Sequence, residues 1–257
     1  MEELSVIIPA AILIGVVMGL LGSGGSILSV PILVYLVGQD GKVAIGSSLA
    51  IVGCIALFGS LAYIKDRLVD WRSVLFFGVP GMIGTYGGAA LAGFVPTIVQ
   101  LTTFGLVMLT AAYMMLKPAL IKLEGSSERH PYKIIIDGLL VGVLTGFVGV
   151  GGGFLIVPAL ALLGGLPIRV AVGTSMFIIF MKSSAGFVKY VDILQSLDLT
   201  LDYNIILIFS LIGIVGSFFG KYVSNKIPQV VLKKGFGGFL ILMSGFILTR
   251  SLIDLSA

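Results

Sequence analysis

The sequence predicts an all-α integral membrane protein built as two inverted-topology repeats. Each repeat is a short or re-entrant helical hairpin plus three transmembrane helices, giving eight to ten membrane segments. Three observations lead there. The 257-residue chain is 58% hydrophobic and only 11% charged, with a mean hydropathy of +1.16, where a soluble domain carries about 25% charged residues. A glycine-rich pattern in the first half of the chain returns in the second. The lysines and arginines fall between the apolar runs in a distribution that discriminates between topologies.

The first apolar run, Leu4 to Leu21, follows Glu2 and Glu3 in place of a basic leader, with no A-x-A cleavage signal behind it. It is therefore expected to be a retained segment and not a removable signal peptide. After a glycine-rich break comes the run 26–38, whose length of about 13 residues covers roughly 20 Å as helix and falls short of a hydrocarbon core about 30 Å thick. Runs 43–64, 73–94 and 98–116 have about the 20 residues that a spanning helix needs. The same series follows at 134–149, 153–165, 170–191, 204–223 and 231–250. Short, interrupted segments at corresponding places in two halves point to a transporter's binding site.

The two series are a duplication. Gly15, Gly19, Gly22, Gly24, Gly25, Leu28, Val30 and Pro31 all have identical partners at an offset of 127, and the register continues through Gly46-Ser47-Ser48 with Gly173-Thr174-Ser175, Gly59 with Gly186 and Tyr63 with Tyr190. Five extra residues in the second copy change the offset to 132, which pairs Gly81, Gly84, Gly88, Pro96, Phe104 and Gly105 with Gly213, Gly216, Gly220, Pro228, Phe236 and Gly237. The repeats are expected at 1–116 and 134–257, joined by a linker at 117–133.

Charge orients them. If the short segment only dips into the membrane and each half crosses four times, the loops hold nine basic residues on one side and six on the other. If the first two segments of each half bring the chain back to its starting side, one side holds twelve and the other only Lys42, Lys189 and Arg250, with Lys182 inside the membrane. The positive-inside rule selects the second arrangement. It makes the halves inverted, with both termini outside the plasma membrane of a prokaryote, the linker 117–133 in the cytoplasm and the acidic loop from Asp192 to Asp202 outside. In a re-entrant version the two glycine tips would approach each other near the midplane.

The tips read Gly22-Ser23-Gly24-Gly25-Ser26 and Gly149-Val150-Gly151-Gly152-Gly153. Unpaired backbone donors at a helix start, with the positive end of its dipole, can hold an anion without a charged side chain, and glycine lets the ligand approach. Close helix packing is the competing reading. Ser47-Ser48 and Thr174-Ser175 could donate hydroxyls to an anion's oxygens or bond to their own helix. Lys42 and Arg169, which begin those segments, could attract anions to the two mouths or serve as snorkelling anchors. Lys182, followed by Ser183 and Ser184, stands about a dozen residues into an apolar segment, where burial costs at least about 2.5 kcal/mol on insertion scales. It is the candidate counter-charge for a bound anion. Its partner in the first half is Ile55, so this feature breaks the symmetry.

Other chemistries have little to work with. There is no P-loop, HExxH or GxSxG, and Gly22-x-Gly24 and Gly149-x-Gly151 lack a βαβ context. The single cysteine, Cys54, lies in an apolar run, and the single histidine, His130, lies in the linker. No metal, cofactor or enzymatic activity is expected. The net charge of +4 is spread between apolar runs and makes no nucleic-acid patch.

The pair GLLGSGGSILSVPIL followed by GSS, and GFVGVGGGFLIVPAL followed by GTS, resembles the sulfite exporter TauE/SafE family of membrane permeases over nearly the whole chain. The resemblance implies a transporter or exporter of sulfite, a sulfonate such as sulfoacetate, or a related small organic anion. By motif position it implies pore-lining roles for the glycine clusters and the Ser/Thr pairs, and it assigns none to Lys182. The expected function is secondary transport by alternating access, with small anion and lipid bilayer as partners and proton coupling left open. The alternatives are a lipid-phosphate flippase and an assembly factor for another membrane complex. An enzyme of the membrane interior would need clustered carboxylates or histidines that the chain lacks.

Overall fold

In hydrocarbon the backbone must satisfy its own polar groups, so each apolar run has one inexpensive solution, a helix. The computed structural model describes residues 2–22, 24–116, 131–149 and 153–256, and among them all regular structure is helical. The first half holds α1 (Glu2–Leu21), α2 (Gly25–Leu36), α3 (Gly41–Lys65), α4 (Trp71–Ala92) and α5 (Thr97–Leu116). The second holds α6 (Pro131–Val148), α7 (Gly153–Pro158, continued by Ala159–Leu163), α8 (Ile168–Ser196), α9 (Tyr203–Ser224) and α10 (Gln229–Ser256). Among the described residues five stretches are long and apolar enough to cross a membrane: α3, α4, α8, α9 and Val230–Ser251 of α10. Ser23, Gly151, Gly152, most of the linker and His130 lie outside the described residues.

Three turns are π-helical: Ile32–Leu36 in α2, Val74–Gly78 in α4 and Ala159–Leu163 in α7. Each lies within two residues of a proline, namely Pro31, Pro80 and Pro158. A proline removes one backbone donor and crowds the carbonyl four residues before it; for Pro80 that carbonyl, of Phe76, lies inside the π turn, whereas Pro31 and Pro158 come immediately before their turns. Asp40, Asp70 and Asp202 start α3, α4 and α9 by accepting bonds from Lys42, Ser73, and Asn204 with Ile205, respectively. The reversals after α1 and α6 use Gly22 (φ +72) and Gly149 (φ +74), a left-handed conformation that favours glycine.

The helices meet through glycine faces. α9 turns Leu207, Leu211, Val215, Phe218 and Tyr222 outward and Gly213, Gly216 and Gly220 inward. The outward stripe is a surface for lipid, and the inward one admits another backbone. Gly15 and Gly19 of α1 lie on Gly213 and Ser217, so α1 and α9 run parallel. Gly84 and Gly88 of α4 lie on Leu139 and Val143 of α6, also in parallel. By contrast α3 and α8, equivalent in sequence, cross antiparallel: Gly46 meets Leu194 and Tyr190 while Gly173 meets Tyr63 at the other end. α5 and α10 are likewise antiparallel, with Gly105 against Leu248 and Gly237 against Leu116. Each of these four seams joins one half of the chain to the other, so neither half buries its packing face alone.

The two glycine tips do not meet near the midplane. Gly22 sits against Val172 and Ser175, at the start of α8, and Gly149 against Ile45, at the start of α3. Because Gly173 packs on Tyr63, these positions are about 18 residues apart along α3, or roughly 27 Å. The reason is the length of α1 and α6, 20 and 18 residues, each of which carries its tip nearly across the bundle instead of stopping halfway.

Candidate functional site

Each tip docks on the opposite half's third helix, Gly22 beside Ser175 of α8 and Gly149 beside Ile45 of α3, while Ser48 is joined to Ser29 of its own half. A Cβ on Gly22 would fall 2.8 Å from Ser175 Oγ and 3.0 Å from Val172 Cγ1, and one on Gly149 would overlap Ile45 and lie 3.1 Å from the Tyr190 hydroxyl. Gly24 leaves room for Phe236, whose Cε2 is 3.2 Å from where its Cβ would be, and Gly25 packs on Ile14 and Met18. Ser26 is fully buried at the start of α2, and its carbonyl accepts from Ser29 Oγ at 2.8 Å. Ser48 reaches the Ser29 hydroxyl at 2.5 Å. Gly153 begins α7.

Several candidate hydroxyls are already committed to the fold. Thr174 Oγ1 accepts from the Asp70 amide at 2.9 Å, pinning the α3–α4 loop, and Ser175 Oγ donates to the Val172 carbonyl at 2.8 Å. Thr174→Val, which keeps the shape and orphans that amide, is expected to cost about 1–3 kcal/mol in thermal unfolding of the solubilised protein. Ser47 Oγ and Ser183 Oγ are buried with no hydrogen-bond partner among the described residues.

The two buried cations differ sharply. Lys42 Nζ donates to the carbonyls of Ala92 (2.6 Å) and Val95 (2.8 Å) and to Gln100 Oε1 (2.7 Å). Gln100 Nε2 in turn donates to the Phe147 carbonyl at 2.7 Å and to the Tyr190 hydroxyl at 3.1 Å, beside the Gly149 tip. Arg169, the equivalent of Lys42, donates to the Asn225 carbonyl at 3.1 Å. Lys42 therefore spends its donors on a helix corner, while Arg169 ties one through a single terminal nitrogen and keeps a buried Nε without a partner among the described residues. The network through Gln100 was not foreseen from the sequence, although an amide inside an apolar run was its visible trace.

Lys182 is the opposite case. It is 0% exposed, and its Nζ has neither a hydrogen-bond nor an ion-pair partner among the described residues. The ammonium lies 4.7 Å from the centre of the Phe77 ring, and its Cε rests on Gly81. Such a ring contact contributes on the order of 2 kcal/mol when desolvated. That falls short of the several kcal/mol that burying an ion costs. Lys182 comes seven residues after Ser175 and eight before Tyr190, about 10 and 12 Å along α8, so it stands midway between the levels of the two tips. Ser183 faces Gly53 of α3 across the crossing of the two long helices.

The family model for sulfite exporter TauE/SafE matches residues 7–247. The chain belongs to the sulfite exporter TauE/SafE family. It is 30% identical to a probable membrane transporter protein of Xylella fastidiosa over 263 residues, covering 100% of this chain and 99% of the relative. It is 33% identical to the probable membrane transporter protein YunE of Bacillus subtilis, covering 72% and 77% of the two chains. It is 28% identical to a probable membrane transporter protein of Methanocaldococcus jannaschii, covering 73% and 74%. No solved structure matches the chain. As a TauE/SafE protein with several spanning helices, it is a multi-pass membrane transporter and not an enzyme.

Proposed function

We propose that this transporter moves a small anion, sulfite or an organosulfonate, by alternating access of two inverted halves, with Lys182 as the counter-charge. The observation that carries this is a fully buried ammonium without a polar partner among the described residues, at the centre of a transporter's core. A bound anion supplies the missing partner, and the unpaired Ser183 hydroxyl is placed to add a donor. The glycine tips, Gly22 to Ser26 in one half and Gly149 with Gly151, Gly152 and Gly153 in the other, line the two entrances with Ser47 and Ser48. The repeats 1–116 and 134–257 act as the moving parts. Proton coupling of the cycle stays within this reading.

The antiparallel crossings of α3 with α8 and of α5 with α10 support the inverted arrangement. In the plasma membrane of a prokaryote this puts both termini outside and the linker 117–133 in the cytoplasm. In a Cys54→Ser background, Gly125→Cys is expected to label from the cytoplasmic side and Asp198→Cys from the outside; labelling of both from one side overturns the topology. The transport reading is tested in proteoliposomes, where purified protein is expected to drive saturable flux of sulfite or a sulfonate. Absence of flux for any small anion refutes it.

A further inference from the structure

Where the two halves differ, they differ together. At the sequence offsets, Lys182 corresponds to Ile55, Phe77 to Phe209, Gly81 to Gly213, Gly138 to Ala11 and Pro80 to Ile212. The structure packs both sets alike. Gly81 holds Lys182 Cε with the Gly138 carbonyl oxygen 3.3 Å from where a Cβ would be, and Gly213 holds Ile55 Cδ1 with the Ala11 oxygen at 3.6 Å. The aromatic ring and the glycine are common to both, while the lysine, the proline and the closer glycine are found on one side only.

The backbone follows the proline. Pro80 offers no N–H to the Phe76 carbonyl four residues earlier, and α4 winds as a π-helix over Val74–Gly78. Its counterpart α9, with Ile212 at that place, is α-helical throughout Tyr203–Ser224. π turns inside α-helices concentrate at functional sites. The turn carries Phe77 over the ammonium, and Gly138 lets α6 close on the Phe77 backbone.

We infer that Lys182, Phe77 and the π turn of α4 form one off-axis anion site per chain, built for a single monovalent oxyanion. This rests on the transport reading above and specifies the site within it. Phe77 is a positioning residue that holds the ammonium while the site is empty, and the oxyanion then takes the ammonium from the ring. The site takes a monoanion, such as an alkylsulfonate or hydrogensulfite, because one unpaired lysine neutralises one charge. The other buried cation, Lys42, is consumed by its three acceptors. A dianion such as sulfate would bring an uncompensated charge into the core.

The test uses the chain's own other half as the control. Sulfonate flux and half-saturation are measured in proteoliposomes for the wild type, Lys182→Ile, the exchange Lys182→Ile with Ile55→Lys, Phe77→Leu and Phe209→Leu. Sulfate is the competing dianion. Loss of flux in Lys182→Ile is required by the transport reading, and full flux there refutes that reading. The inference adds that the exchange does not restore flux, because the first-half position has the ring and the glycine but no π turn. It also expects Phe77→Leu to lower half-saturation by about five- to tenfold with maximal flux largely kept, because the empty site loses the ring contact that a bound anion must break, the scale of one desolvated cation–π contact. Phe209→Leu is expected to leave half-saturation within about twofold, since that ring meets no cation. Restored flux in the exchange, equal effects of the two leucine variants, or sulfate competing as well as sulfonate overturns the inference while leaving the transport reading in place. If the exchange does not fold, the leucine pair and the sulfate competition decide.

Discussion

Lys182→Ile is expected to abolish anion flux and, at the same time, to raise the protein's thermal stability. The first effect follows from the loss of a cation that is fully buried without a polar partner among the described residues, and flux should fall by well over the tenfold that about 1.4 kcal/mol amounts to. The second follows from the cost of the charge. Replacing buried ions by well-packed apolar side chains is often neutral or stabilising by about 1–4 kcal/mol. Isoleucine has a shape that demonstrably fits, since Ile55 fills the equivalent place against Gly213. A gain of stability with a loss of transport marks a residue retained for function. Thermal unfolding in detergent together with flux in proteoliposomes reads both. Unchanged flux, or a large drop in stability, would show instead that the lysine serves the fold.

The second large effect concerns the glycine seams. Gly84→Leu is expected to cost about 3 kcal/mol or more and to yield poorly assembled protein. A side chain there would overlap the Leu139 carbonyl oxygen and stand 2.9 Å from the Val143 amide nitrogen. Backbone cannot move aside as a side chain can, so α4 and α6 would have to separate along the seam. Gly87 of the same helix is the control, because a Cβ there meets nothing within 4 Å and its face is exposed. Gly87→Leu should extract and elute as the wild type does. Gel filtration after extraction and the unfolding temperature distinguish the two, and equal behaviour would mean that the seam is not a determinant of assembly.

These seams also explain what could be read from the sequence. Runs of about 20 apolar residues have one outcome in hydrocarbon, and the ten helices follow the ten runs to within a few residues, with α8 extended to Ser196. The duplicated glycines told which faces would pack, because only glycine permits contacts such as Gly15 on Gly213. The burial of Lys182 was legible from its depth in an apolar run. The levels of the tips were not legible: the sequence shows that a hairpin turns at Gly22 and Gly149, but how far α1 and α6 carry those turns depends on the partner helix. Nor could the sequence separate committed hydroxyls from free ones. Thr174 and Ser47 are equivalent by offset, yet one accepts from the Asp70 amide and the other has no partner. The π turn of α4 had a visible cause in Pro80, which has Ile212 as its counterpart, but the contact of Lys182 with Phe77 had no trace in the sequence.

The central claim is that a small anion completes the charge of Lys182, and ligand-dependent thermal stabilisation of the purified protein tests it most directly. Sulfite, sulfoacetate, thiosulfate and a polyprenyl phosphate are compared at matched ionic strength on the wild type and on Lys182→Ile. The expected result is a concentration-dependent rise in the unfolding temperature with sulfite, read at a mildly acidic pH where hydrogensulfite prevails, larger than with the dianions sulfoacetate and thiosulfate, present in the wild type and missing in the variant. Stabilisation by the polyprenyl phosphate alone, or an equal shift in both proteins, would contradict it.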